Sequence, residues 1–318
     1  MSNEAFYRGI QMVLADPDPS LCRVISSALF AKGLRDLSVC TDAHQLTRAV
    51  NSNVDVVLSN VDIPPSDFCA ITQDIRHGRI GANPFTLLIA MSRPANEGDI
   101  ARFLQSGVDD LLIKPMETDT VINRIVAFSR RRNPFVVTPA YIGPTRRTER
   151  RDDGSDDDQV IEVPNTLKVK AVHSTRAPDL QALVESGVNG LNEKKAQSGL
   201  RVICRLARRL ADLQAKPGQG DEIRRVVRTL GMKAEELTLE HRNSVTTRHV
   251  GAIGERIARL ARRSDNQPVP GPPSKVEINL LLQLSDAALA AFLNTGTGKG
   301  AGVVPEIVAI VEEYLARN

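Results

Sequence analysis

The amino-acid sequence predicts two folded parts: an α/β domain built on a five-stranded parallel sheet, and an all-α domain after it. In the first third of the chain, short apolar runs alternate with amphipathic stretches, whereas helical periodicity dominates after residue 166. A segment rich in Pro and in charge separates the two patterns. The 318 residues suffice for two domains, and the aromatic content of 3% without Trp favours aliphatic cores in α/β layers and helical bundles.

Five short apolar runs in residues 8–132 predict the strands, at positions 11–15, 37–40, 54–59, 86–91 and 110–113. Amphipathic stretches that predict helices lie between and after them, at positions 20–32, 42–52, 66–77, 97–106 and 118–131. Successive βα units need crossover connections, which give parallel strands and place helices on both faces of the sheet. We therefore expect a doubly wound, flavodoxin-like sheet with the strand order 2-1-3-4-5.

The segment 133–165 has a different composition. It contains four prolines, and a basic run at 146–151 is followed directly by an acidic run at 152–158. So few apolar residues cannot offset the entropy lost on ordering the chain. The sequence predicts a flexible linker here and a helical domain over residues 166–318, where positions 167–172 are the best remaining candidate for a strand.

The C-terminal half is basic, with 23 Lys and Arg against 17 Asp and Glu in residues 160–318, compared with 14 against 15 in residues 1–133. Two predicted helices carry arginines opposite an apolar stripe. This pattern indicates either a solvated helix face or a surface for an anionic partner, which is formed by Arg201, Arg205, Arg208, Arg248, Arg256 and Arg259.

Cysteine usage and hydropathy limit the class of protein. The four cysteines are scattered and have no clustered His partner, which predicts reduced thiols without disulfides or a metal site: Cys22, Cys40, Cys69 and Cys204. No apolar run reaches the length of a membrane span, and the polar N-terminus lacks the features of a signal peptide. We expect a cytoplasmic protein without a membrane partner.

Polar residues follow the predicted strands where each strand ends. Asp16 and Asp18 follow the first strand, and Asn60 follows the third. Ser92 follows the fourth strand, and Lys114, which precedes a proline, follows the fifth. Because parallel α/β sheets place their sites at the carboxyl ends of the strands, these five side chains are the candidate site.

These residues, together with the stretches 13–16, 55–58 and 107–115, resemble the receiver domain of the response regulators of bacterial two-component systems. The resemblance covers residues 8–132, about 40% of the chain. It implies that acidic residues after the first strand hold a divalent cation and that an aspartate after the third strand accepts phosphate. It further implies that a Ser or Thr and a Lys contact the phosphoryl oxygens.

The chain departs from the receiver pattern at three positions. Asn60 replaces the phosphate-accepting aspartate, and an amide is not a nucleophile at neutral pH. Pro17 stands where a second acidic ligand usually follows Asp16, so that Asp18 comes one place late and alternatively caps the next helix. Leu111 stands at the switch position, where the family usually has an aromatic residue.

These departures predict a degenerate pseudo-receiver without a catalytic residue, a metal ion or a cofactor, in which Mg²⁺ binding is weak or absent. Lys114 is expected to pair with Asp16 and Asn60 and to hold the pocket in one state. Ser92 either keeps its place in that pocket or only satisfies a backbone group at the strand end.

The sequence therefore predicts a non-enzymatic signalling protein, in which a phosphorylation-independent receiver is a docking or dimerisation module for a helical output domain. The expected partner is a protein of a signalling pathway or a second copy of the chain. Two alternatives remain open. In one, a transcription regulator binds DNA through its basic helices, because residues 223–237 resemble a helix-turn-helix with Gly231 at the turn. In the other, His249 serves a phosphotransfer module.

Overall fold

The computed structural model describes residues 7, 9–146, 160–172, 180–216, 218–241, 248–265 and 273–293, with a few further positions between 309 and 316. The chain divides into two units, with the boundary between Gly190 and Leu191. This boundary lies later than residue 166, where the sequence analysis places the start of the helical domain.

Seven strands lie within the first 113 residues: β1 Gln11–Ala15, β2 Asp36–Cys40, β3 Val56–Asn60, β4 Asp62–Ile63, β5 Ser66–Asp67, β6 Leu87–Ser92 and β7 Asp110–Ile113. Five of them form the main sheet in the spatial order β2-β1-β3-β6-β7, and all its neighbouring strands are parallel. Strands β4 and β5 form a separate small antiparallel pair. The predicted flavodoxin-like order is confirmed, with strand bounds within two residues of the expected ones.

Five helices connect or follow these strands: α1 Pro19–Ala31, α2 Ala43–Val50, α3 Phe68–Arg76, α4 Glu97–Gln105 and α5 Thr118–Arg130. Each of the first four follows an N-cap residue whose side chain accepts hydrogen bonds from backbone N–H groups of the first turn: Asp18, Asp42, Asp67 and Asn96. The helices cover both faces of the sheet. Consecutive strand residues accordingly join different cores, with Val57 and Leu88 in one cluster and Leu58 and Ile89 in the other.

The prediction of a flexible linker is wrong for the residues that directly follow α5. Phe135–Val137 (β8) and Ile142–Pro144 (β9) form an antiparallel hairpin, and Val160–Ile161 (β10) pairs with β8 on its other side. Phe135 is fully buried and Ile142 is 2% exposed. The acidic run at 152–158 lies outside the described residues.

The hairpin packs beside a buried carboxylate, that of Asp109, which is neutralised by two arginines. Asp109, just before β7, accepts hydrogen bonds from Arg76 (2.8 Å), Arg132 (2.7 Å) and the backbone N–H of Leu88 (2.8 Å). Arg76 is fully buried, and its guanidinium lies 4.8 Å from the centre of the Phe135 ring. Ordering this segment is favourable despite its prolines because Phe135 and Ile142 bury apolar surface, and the charges beneath them are already paired.

A second buried pair fixes the next segment of the first unit. Residues 167–172, the candidate strand, instead belong to a helix, α6 (Thr166–Val172). Lys170 on this helix donates to Asp55 at 2.6 Å, and Gln11 N–H donates to the same carboxylate oxygen at 2.8 Å. Burial raises the pKa of Asp55, and Lys170 opposes this rise. The helical assignment follows because Asn165 caps α6 and also donates to the carbonyl of Phe128 at the end of α5.

The remaining described helices are α7 Leu180–Gln214, α8 Gly220–His241, α9 Arg248–Asp265 and α10 Lys275–Leu293. In the second unit they share one aliphatic core, in which Leu200, Leu230, Leu260 and Leu284 are fully buried. The prediction that this region is helical is confirmed. In the part of the chain that the structure describes, no helix is both long enough and apolar enough to cross a membrane.

The helix-turn-helix interpretation of residues 223–237 is wrong. Gly231 lies inside the continuous helix α8 and is buried. A Cβ at this position would lie 3.2 Å from the Cβ of Ala261. The glycine therefore serves the close packing of α8 on α9, and it does not mark a turn.

Gly107 should be the least replaceable glycine at the hairpin contact. It has φ +96°, and an added Cβ would lie 2.4 Å from the carbonyl oxygen of Ile142. Gly78 is the matched control, because its φ is +72° but nothing lies within 4 Å of an added Cβ. In urea denaturation, Gly78→Ala should cost about 1–2 kcal/mol for its backbone conformation. Gly107→Ala should cost roughly 3 kcal/mol or more, since overlap adds to strain; equal losses would contradict the tight contact.

Removing the charge of Asp109 should leave two buried guanidinium groups without their partner. We expect Asp109→Asn to lower the free energy of unfolding by about 3–5 kcal/mol near neutral pH. Although burial alone raises the pKa of Asp109, Arg132 and Arg76 hold it below its usual range. The carboxylate thus stabilises the fold above roughly pH 4 and loses this contribution as pH falls through the depressed pKa. Denaturation curves of both proteins should therefore converge in acid, and a pH-independent difference would refute this origin.

Candidate functional site

The five candidate side chains lie at the carboxyl ends of four strands. Asp16 directly follows β1, Asn60 ends β3, Ser92 ends β6 and Lys114 directly follows β7. Asp18 precedes α1. The parallel order β1-β3-β6-β7 brings these strand ends to one edge of the sheet, as the sequence predicts.

Lys114 joins the strand ends electrostatically. Its Nζ donates to Oδ2 of Asp16 and, at 3.2 Å, to Oδ1 of Asn60. The side chain of Asp16 is 3% exposed and that of Lys114 is 18% exposed. A single ammonium therefore balances a single buried carboxylate, and both contacts expected for Lys114 are present.

The amide of Asn60 is engaged on both sides. Its oxygen accepts from Lys114, and its Nδ2 donates to the carbonyl of Asp62 at 3.0 Å. This second bond anchors the side chain to the loop after β3. The orientation with oxygen toward the ammonium is the one that satisfies both partners.

Asp18 is a helix cap in this structure. Its Oδ1 accepts from the N–H groups of Ser20 at 2.8 Å and Leu21 at 3.3 Å. Its own N–H donates to Oδ1 of Asp16 at 2.9 Å. The two carboxylate oxygens of Asp16 are thus occupied by Asp18 N–H and by Lys114.

The fifth candidate, Ser92, and the switch position, Leu111, contact their own surroundings. The hydroxyl of Ser92 donates to the carbonyl of Arg93 at 2.7 Å, and the residue is 4% exposed. Leu111 is partly buried and packs against the core cluster that contains Phe103 and Val108. The structure does not bring Ser92 or Leu111 into the hydrogen bonds of Lys114.

The structure divides the predicted arginine surface. Arg201, Arg205 and Arg208 line one pocket of about 430 Å³ together with Arg209 of the same helix. Arg256 and Arg259 both pair with Glu312, at 3.0 and 3.2 Å. The side chains of Arg248 and His249 lie outside the described residues.

Sequence reasoning also missed the Asp109 cluster at the opposite edge of the sheet. An acidic residue before an apolar strand is a weak signal by itself. Its partners Arg76 and Arg132 lie 33 and 23 residues away, so no local pattern links them.

A comparison with protein families places this site in a known domain. Residues 12–126 match the model of the response regulator receiver domain. This range contains every strand of the main sheet after the first residue of β1, and all five side chains of the strand-end site. Residues 12–126 are therefore a response regulator receiver domain.

The curated relatives that match are the transcriptional regulatory protein TcrA of Mycobacterium tuberculosis, strains ATCC 25618 / H37Rv and CDC 1551 / Oshkosh. Each is 26% identical over 123 residues, which cover 39% of this chain and 47% of the relative. The chain spans about half the length of these curated relatives.

Similar solved structures include response regulator DrrB, a Thermotoga maritima OmpR/PhoB homolog, at 19% identity and a TM-score of 0.34, which covers 38% of this chain and 53% of that chain. The receiver domain of the sensor histidine kinase PA1611 from Pseudomonas aeruginosa PAO1 is similar at 26% identity and a TM-score of 0.33. That similarity covers 36% of this chain and 94% of the other.

Lys114→Met should leave Asp16 buried without its counter-ion. We expect the variant to lose about 3 kcal/mol of unfolding free energy in urea denaturation. The double variant Asp16→Asn, Lys114→Met should recover part of this loss, because neither charge then remains. Lys32→Met is the control, since Lys32 pairs with Asp119 at 2.7 Å on an exposed surface and its loss should cost at most about 1 kcal/mol. Equal losses for Lys114→Met and Lys32→Met would show that the Asp16 contact adds nothing.

Proposed function

We propose that this chain is a non-enzymatic two-component regulator whose receiver domain works without phosphorylation. In this proposal the receiver is a pseudo-receiver, a docking or dimerisation module, and the helical unit is the output domain. The protein acts in the bacterial cytoplasm, the compartment of two-component regulators, and the relatives named above are bacterial. The single observation that carries the proposal is the contact of Lys114 with both Asp16 and Asn60.

The charge balance of the pocket supports this function. A receiver that gathers several carboxylates needs a cation to neutralise them. Here Asn60 is neutral and Asp18 is turned to the start of α1, so Asp16 is the carboxylate that contacts Lys114. The ammonium neutralises it directly, and the pocket needs no further cation to be stable.

The donor set does not fit Mg²⁺. This ion requires near-octahedral oxygen coordination, with at least one or two carboxylates supplied by the protein. Both oxygens of Asp16 already accept hydrogen bonds, one of them from a positively charged group. Asn60 also lacks the nucleophilic carboxylate that forms an acyl phosphate. We therefore derive no phosphoryl transfer in this pocket.

The proposed function also implies the kind of partner. A receiver that is not switched by phosphorylation acts by binding through its surface, and its partner is then another protein or a second copy of the same chain. DNA binding through the C-terminal half remains the alternative, favoured by its basic charge and by the curated relatives, which are transcriptional regulatory proteins. Titration with random duplex DNA separates the two, because phosphate contacts give affinity that falls steeply with salt.

Treatment of the protein with acetyl phosphate and Mg²⁺ should leave its mass unchanged. Asn60→Asp restores the nucleophile but should react poorly, because Asp18 caps α1 and a carboxylate at position 60 competes with Asp16 for Lys114. Intact-mass spectrometry measures both outcomes.

Gain of one phosphoryl group by the unmodified chain, located by peptide mapping within residues 12–126, would show a working receiver with another acceptor. Efficient labelling of Asn60→Asp would show that the metal site is intact, which would contradict the proposed reading of Asp16 and Asp18.

A further inference from the structure

The helix α7 carries a compact arginine pocket in the second unit. Arg201, Arg205, Arg208 and Arg209 line it, with Leu289 of α10 at its apolar side. On a helix, residues three and four positions apart are neighbours, about 5–6 Å apart at Cβ. The opposite side of the same turns is core, because Leu200, Ile203 and Ala207 are fully buried and support the helix from beneath.

The arginines of the pocket differ in their ion-pair partners. Arg208 pairs with Asp286 at 2.9 Å, and Arg209 pairs with Glu222 at 2.6 Å. Arg205 is exposed and has no ion pair or hydrogen bond with any residue that the structure describes. Its guanidinium therefore lies ready for an external acceptor, one turn from Arg201.

Two residues that line the pocket, Cys204 and Leu289, are uncharged. The thiol of Cys204 donates to the carbonyl of Ser285 at 3.1 Å, and burial raises the pKa of this thiol to about 12. The thiol stays neutral at physiological pH. With Leu289, it gives the pocket an apolar side beneath a charged rim, which is typical of sites for small ligands.

We propose that this pocket binds a small molecule through its phosphate group, with Arg205 as the principal donor. A guanidinium offers a planar fork of N–H groups, which matches the oxygens of a phosphate. The pocket volume of about 430 Å³ lies in the range of small-molecule sites.

The carboxylates of the rim select a compact anion over an extended one. Asp212 lines the pocket, and Asp286 and Glu222 flank it through their pairs with Arg208 and Arg209. A nucleic-acid backbone that passed over α7 would approach these negative groups, at a cost from like-charge repulsion. A single phosphate at Arg205 covers less of this surface than a nucleic-acid backbone does. This site is independent of the receiver pocket, so it stands or falls separately from the proposed function.

The test is calorimetric titration of the full chain with AMP, adenosine and inorganic phosphate as separate probes. We expect saturable binding of AMP, weaker binding of inorganic phosphate and none of adenosine, with affinity that falls as salt is added. Arg205→Gln should weaken AMP binding about tenfold or more, since it removes a charge-assisted fork. Its melting temperature should not change, because Arg205 has no described partner to lose.

Arg262→Gln is the matched control, with the same loss of charge at an exposed residue of α9 that pairs with Glu235. It should leave AMP binding within about twofold of the original. Three results would overturn the proposal: no saturable binding of AMP or phosphate, equal weakening by both variants, or salt-dependent binding of duplex DNA by a chain that does not bind AMP. The last result would assign the surface to nucleic acid.

Discussion

The first unit is organised by the need to neutralise one carboxylate that is almost completely buried. Asp109 is buried at the amino-terminal edge of the sheet, where a bare charge would cost several kcal/mol. Burial lowers the pKa of Arg76 to about 10, so this guanidinium still carries its charge at neutral pH. Its remaining donors bond the carbonyls of Gly107, Pro84 and Thr86. These contacts connect the end of α3, the starts of β6 and β7, and the Phe135–Val137 strand.

The opposite edge of the same sheet uses a simpler balance of charge. There a single lysine neutralises a single aspartate, and an asparagine supplies a neutral acceptor. Replacing a carboxylate by Asn60 removes one negative charge, and the existing Lys114 then suffices. Under the proposed function, the same substitution that removes the nucleophile also leaves one carboxylate for Lys114 to neutralise, so that the ion pair balances its own charge.

The sequence predicts these two edges unequally. The strand-end site was predictable, because parallel strands converge at their carboxyl ends and the relevant residues follow apolar runs. The Ile142–Pro144 strand was not, since the prolines and charges of its segment are typical of a linker and Gly107, against which Ile142 packs closely, is far away in sequence. The prediction of a turn at Gly231 was wrong because the contact that requires this glycine also lies far away in sequence. A glycine in a polar helix indicates a turn, but here it allows α8 to approach Ala261.

Under the proposed function, the receiver is not phosphorylated and cannot transmit a signal in that way. Its regulation must then depend on another event. A ligand shifts a conformational equilibrium only by its difference in affinity for the two states. With Asn60 in contact with Lys114, that edge presents an amide where an acyl phosphate would have to form. The signal must then be the presence of whatever binds the chain, whether at a receiver surface or at the arginines of α7. Under the proposed function, the amide at position 60 therefore leaves occupancy, in place of covalent modification, as the means of regulation.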